Sequence, residues 1–88
     1  MPRTRSSLLE DRAEAGRRLG IRLAAVRRKA GISQLAAAKA LGVPKSMIGK
    51  LERGKRQLHF LEALRLAEIY GVDCGDFDSA RERDHRPG

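Results

Sequence analysis

The chain has 88 residues, enough for one small domain with a modest core. Its 19 lysines and arginines against 11 acidic residues give a formal net charge of +8, which favours a polyanionic partner such as DNA, RNA or a lipid surface. One cysteine and two histidines exclude an intrachain disulfide and a four-ligand zinc site. Without an apolar run of about 18 residues or a signal peptide, we expect a cytoplasmic protein that does not enter membranes.

Both ends of the chain are polar and offer almost nothing apolar to bury. We therefore expect a polar N-terminal tail or arm at residues 1–14, a domain at residues 15–78 and a polar tail at residues 79–88. The basic stretch RTRSS could reach DNA, although such tails are more often disordered. We expect no second domain that binds a small molecule, no cofactor and no metal.

The first predicted helix covers residues 17–30, because its apolar residues recur at spacings of four, three and four. After Gly31, Ser33 is a good N-cap for a second helix of about two turns, Gln34 to Leu41. The stretch Gly42-Val43-Pro44 then breaks the chain. A third helix is predicted to begin at Pro44 or Lys45 and to end near Arg53.

The second half of the chain predicts two further helices. Apolar residues recur at helical spacing from Phe60 to Tyr70, and Gly71 suits the left-handed end of that helix. Val72 and Phe77 indicate a short fifth helix. We expect the three aromatic side chains to lie in the core or a dimer interface, and no segment alternates long enough to predict a strand. The expected fold is therefore all-α.

The second and third helices, joined by a tight turn, have the length and punctuation of a helix-turn-helix. In this motif the second helix enters the major groove of DNA while the first crosses the phosphate backbone. The region from about Leu19 to Phe77 resembles the XRE-type family, which includes the lambdoid phage repressors and Cro. The resemblance is carried by Arg27, Gly31-Ile32-Ser33-Gln34, Ala38, Leu41-Gly42-Val43, Ile48, Leu51-Glu52-Arg53-Gly54-Lys55, Ala67 and Gly71-Val72.

The resemblance implies a compact five-helix, lambda-repressor-like domain that binds double-stranded operator DNA as a symmetric homodimer. It also implies roles for individual residues. The positions that would face the groove are Lys45, Ser46, Gly49 and Lys50. The positions that would contact phosphates are Gln34, Arg53, Lys55 and Arg56. Arg27 and Glu52 match a structural ion pair between the first and third helices.

The sequence supports this placement independently, because residues 45, 46, 49, 50 and 53 share one helical face while the aliphatic Ile48 and Leu51 point away. Lysines in a groove favour guanine, although they lack the fork of arginine. Three residues depart from the family pattern: Pro44 stands where Ser or Thr often caps the helix, Ala37 is small, and Gly49 replaces a side chain aimed at DNA.

Two functions fit these observations. The first is a transcriptional regulator, most simply a repressor, that reads a two-fold operator as a homodimer. The second is an antitoxin-like protein that neutralises a protein partner and regulates its own synthesis by binding DNA. The sequence contains no nucleophile with a nearby base, no glycine-rich phosphate-binding loop and no pair of carboxylates in an apolar context. We therefore expect that the protein is not an enzyme.

Overall fold

The computed structural model describes residues 5–77, with side chains described from residue 11 onward. Four α-helices follow one another: α1 at Arg5–Lys29, α2 at Gln34–Leu41, α3 at Lys45–Glu52 and α4 at Phe60–Tyr70. A single 3₁₀ helix at Cys74–Phe77 follows them. Residues 5–77 contain no strand, and none of their helices is long and apolar enough to cross a membrane.

The expected count of five α-helices is wrong, because the last element is only one 3₁₀ turn. The backbone N–H of Asp76 donates to the carbonyl of Asp73 at 2.9 Å, a bond spanning three residues. Gly75 lies inside this turn and disfavours a longer α-helix. The turn is held to the domain by Arg22 of α1, whose Nε donates to the carbonyl of Asp76 at 2.7 Å.

The first helix is longer than the sequence predicted. It begins at Arg5, so residues 5–14 of the expected N-terminal tail or arm are helical. Their leucine, alanine, glutamate and arginine residues all favour helix, and the helix continues without a break into the packed half of α1. A polar helix needs no apolar stripe, which is why periodicity alone missed it. The remainder of the two expected tails, residues 1–4 and 79–88, lies outside the described residues, as does residue 78 at the expected end of the domain.

The core lies where α1, α2, α3 and α4 meet. Its largest fully buried side chains are Leu23, Ile48 and Leu66, one each from α1, α3 and α4. The rings of Tyr70 and Phe77 meet edge to face with centroids 6.4 Å apart, so these two aromatic residues belong to the core as expected. Phe60, the third aromatic residue, is 71% exposed.

Glycine allows α1 to lie directly against the end of α3. A methyl group added at Gly20 would overlap the carbonyl oxygen of Glu52 and lie 2.8 Å from that of Leu51. Gly54, which follows α3, has a φ of +72°, and a methyl group there would lie 2.9 Å from the backbone nitrogen of Arg17. These two contacts fix the distance between α1 and α3, and so the position of α3 in the domain.

Candidate nucleic-acid interface

The turn between α2 and α3 is built by local hydrogen bonds. Ser33 caps α2 by accepting a hydrogen bond from the backbone N–H of Ala36 at 3.0 Å, as predicted. Gly42 ends α2 with a φ of +80°, and its N–H donates to the carbonyl of Ala38 at 2.8 Å. Pro44 then precedes α3 without a side-chain cap, as expected. The helix-turn-helix geometry is thus set by residues 33–44.

Helix α3 has two faces of different chemistry. We call Ile48, Leu51 and Glu52 its inner face, because Ile48 and Leu51 are buried against the core and Glu52 points to α1. We call residues 45, 46, 49, 50 and 53 its outer face, which includes Arg53 at the position just after the helix. The four side chains on the outer face are exposed.

The inner face is tied to α1 by the ion pair that the resemblance implied. Arg27 Nε donates to one Glu52 oxygen at 2.7 Å and Nη2 donates to the other at 3.1 Å, while Nη1 reaches the carbonyl of Ile32 at 2.8 Å. The two side chains are only 9% and 7% exposed. The hydrogen bonds to Glu52 raise the pKa of Arg27 above its ordinary value.

A third residue joins this pair. Gln34 Nε2, at the start of α2, donates to Glu52 Oε1 at 2.9 Å, so one carboxylate links α1, α2 and α3. Nearby, burial together with the charge of Glu52 raises the pKa of Tyr70 to about 12, which keeps its ring neutral in the core. Gln34 is also an expected phosphate contact, and in this structure its amide nitrogen donates to Glu52 inside the domain.

The outer face is rich in exposed positive charge. In the described part of the chain, no carboxylate lies within 4.0 Å of the cationic groups of Lys45, Lys50 or Arg53, and the same holds for Lys55 in the following turn. Charges that have no partner in the protein and lie on one exposed face can bind an anionic one. The structure therefore brings together Lys45, Ser46, Lys50, Arg53 and Lys55 at the outer face and its edge.

Gly49 replaces a side chain aimed at DNA, but it does not leave an open gap on the outer face. The residue is buried although its neighbours on the outer face are exposed. A methyl group added to it would lie 3.0 Å from Nη1 of Arg53, and the other nearest atoms also belong to that guanidinium group. The side chain of Arg53 therefore covers the backbone at Gly49.

Arg56, like Gln34, is an expected phosphate contact that already has a carboxylate partner. Its Nη1 and Nη2 donate to the two carboxylate oxygens of Glu62 at 2.9 and 3.1 Å. Glu62 also accepts a hydrogen bond from the backbone N–H of His59 at 3.0 Å and so supports the start of α4. The pKa of Glu62 is lowered, chiefly by Arg56. Sequence reasoning missed this pair because it joins a turn to a helix, where no periodicity relates the two residues.

The chain matches one family model and is similar to several solved structures. A model of the helix-turn-helix family HTH_3 matches residues 23–77, whereas no match is found among curated proteins. The restriction-modification controller protein C.AhdI from Aeromonas hydrophila is similar at 29% identity and a TM-score of 0.67, over 70% of this chain and 94% of that one. The DNA-binding domain of BldD is similar at 27% identity and a TM-score of 0.66, over 74% and 94%.

A third structure supports the fold alone. An HTH_3 family transcriptional regulator from Vibrio cholerae aligns with a TM-score of 0.71 at 22% identity over 82% of this chain. The alignment spans only 40% of that regulator. The described helices thus match a fold that also occurs within a longer protein.

Proposed function

Because the chain belongs to the helix-turn-helix family HTH_3 and is a DNA-binding transcription regulator, we propose that it is a sequence-specific repressor. It binds a two-fold operator as a homodimer and excludes polymerase from the promoter. The observation that carries this proposal is the outer face of α3, where exposed cations with no carboxylate partner among the described residues follow the turn of the motif. Placed in the major groove, that face meets base edges and phosphates together.

Each exposed side chain has a role that follows from its chemistry. Lys45 and Lys50 donate hydrogen bonds to acceptors in the major groove, with guanine O6 and N7 the best matched, and Ser46 bonds to several bases. Lys55, at the edge of the outer face, contacts phosphate. Gln34 and Arg56 remain proposed phosphate contacts. To bind a phosphate, each side chain must either leave its carboxylate partner or bind both groups at once.

The buried network makes the reading helix rigid. A site placed on a helix reads more precisely when its supporting side chains are locked by hydrogen bonds. Glu52 accepts three such bonds, from Arg27 twice and from Gln34 once. The orientation of α3 is therefore fixed before DNA arrives, and binding requires little ordering of the helix.

The homodimer is supported by an apolar patch at the start of α4. Phe60 and Leu61 are both 71% exposed, and Leu64 lies one turn further along and is also exposed. Exposed apolar side chains grouped in this way mark protein interaction sites. A second copy of the chain at this patch would cover them and present two copies of α3 to one duplex.

Selection of bound sequences from random duplex DNA tests the proposal. We expect enrichment of an inverted repeat with half-sites about one turn, or 34 Å, apart. A single unrepeated site would contradict the two-fold arrangement. The recovery of no preferred sequence would contradict sequence-specific reading altogether.

The antitoxin-like function is the second candidate, because the exposed patch of Phe60 and Leu61 could equally bind a different protein. Sedimentation of the purified protein separates the two. A dimer that dissociates when Leu61 is changed to serine supports self-association. A stable monomer, together with a stoichiometric second polypeptide that co-purifies with the wild type and not with Leu61→Ser, would support the second function instead.

A further inference from the structure

Arg53 occupies the middle of the outer face, although it follows the last residue of α3. Successive residues of a helix are rotated by about 100°, so position 53 lies between Gly49 and Ser46 around the helix axis. The side chain folds back over the preceding turn, where Nη1, Cζ and Nη2 lie 3.0, 3.7 and 3.8 Å from a methyl group built on Gly49. Helical side chains generally cover the turn that precedes them.

This arrangement depends on the glycine. A methyl group at position 49 would force the guanidinium group to shift by a few tenths of an ångström, because 3.0 Å is tighter than an ordinary contact. A glycine inside a helix also costs up to about 1 kcal/mol relative to alanine. Because Gly49 has no side chain, the Arg53 guanidinium group can lie against the helix backbone on the outer face.

The Arg53 guanidinium group also differs from those of two other arginines near α3. Arg27 is saturated by Glu52 and Ile32, and Arg56 is held in two-point contact by Glu62. Among the described residues, Arg53 has no carboxylate within 4.0 Å. Its planar set of N–H donors is available for a ligand with two acceptors side by side.

We propose that Arg53 reads a guanine base through O6 and N7, rather than contacting only a phosphate as the family resemblance implied. The proposal rests on the proposed function, because it requires α3 to lie in the major groove. Two parallel hydrogen bonds from arginine to guanine are the commonest specific contact there. Arg53 supplies the fork that Lys45 and Lys50 lack, with Gly49 holding it in position.

The test uses a duplex selected by the wild-type protein and the variant Arg53→Lys, which keeps the charge but loses the fork. We expect this variant to lose about 5- to 150-fold in affinity for the selected duplex, while its affinity for random duplex stays nearly constant. Replacing one half-site guanine by 7-deazaguanine, which lacks N7, should weaken the wild type and leave Arg53→Lys almost unaffected. Gly49→Ala should lose preference at the same base pair.

Lys55→Ala is the matched control, because it removes a charge at the edge of the outer face. It should weaken selected and random duplexes alike and make the dependence on salt shallower by about one phosphate. If Arg53→Lys retains the full preference for every guanine, the proposal is overturned while sequence-specific binding stands. If the wild type selects no sequence, both the inference and the proposed function fail. Thermal unfolding of each variant verifies that it remains folded.

Discussion

The two faces of α3 differ in what holds their side chains. On the inner face, Ile48 and Leu51 are buried and Glu52 is bound by donors from α1 and α2. On the outer face, Lys45 and Lys50 have no carboxylate partner among the described residues. The eight residues of α3 thus include an inner face held in the core and an outer face with exposed positive charge. The difference suggests that inner-face changes alter stability, whereas outer-face changes alter DNA binding.

The largest expected effect comes from removing Glu52. The variant Glu52→Ala leaves Arg27 as a buried charge without its partner, and such a change costs about 3 to 5 kcal/mol. Small domains have only about 5 to 15 kcal/mol in total. Urea unfolding should show this loss, while Lys50→Ala on the outer face should change the unfolding free energy by no more than about 0.5 kcal/mol. Comparable losses in the two variants would remove the distinction between the faces.

A second comparison uses two glycines one turn apart in α1. In Gly20→Ala, the added methyl group meets the carbonyl oxygens of Leu51 and Glu52, and such overpacking costs about 1 to 3 kcal/mol. In Gly16→Ala, the nearest atom is the carbonyl oxygen of Gly54 at an ordinary 3.7 Å, and alanine favours the helix by up to about 1 kcal/mol. Thermal unfolding should therefore move in opposite directions. A stable Gly20→Ala would contradict the close approach of α1 and α3.

The smallest expected effect concerns Glu62, outside both faces. Its pKa is lowered mainly by Arg56, so its charged form is favoured in the folded protein. The stability that this provides is complete above the unfolded pKa of 4.5 and is lost as the pH falls through the lower folded value. The difference in unfolding free energy between wild type and Glu62→Gln should be largest near pH 7 and shrink below pH 4.5. A difference that grows on acidification would contradict the pairing.

Helical periodicity and turn residues predicted α2 and α4 with their observed bounds and α3 to within about one residue, because burial of one face imposes a repeat. The polar start of α1 has no such repeat in its sequence. The close contact of Gly20 with the end of α3 was also unpredictable. From the sequence alone, a glycine in a helix only lowers helix propensity, and the element packed against it is not known. The position of the Arg53 guanidinium group over Gly49 was equally unpredictable, because the sequence does not show which atoms lie beside a glycine in a helix.

The residues proposed to read DNA were identified mainly by resemblance to a family. The spacing of residues 45, 46, 49 and 50 showed which face they share, but not which side chains remain unpaired. The bonds from Gln34 to Glu52 and from Arg56 to Glu62 required coordinates, because side-chain pairing between separate elements depends on tertiary packing. These two contacts show which of the expected phosphate-contacting side chains already have a carboxylate partner in the protein.

Binding of Gly49→Glu to a selected duplex, with thermal unfolding measured in parallel, tests most directly whether the outer face of α3 meets DNA. The Cβ atom of the new side chain would meet only the flexible end of Arg53, so the unfolding midpoint should stay nearly unchanged. Its carboxylate would pair with Arg53 and repel the DNA backbone, so operator binding should be lost, whereas the neutral Gly49→Gln should retain more affinity. Undiminished binding by a folded Gly49→Glu would contradict the account.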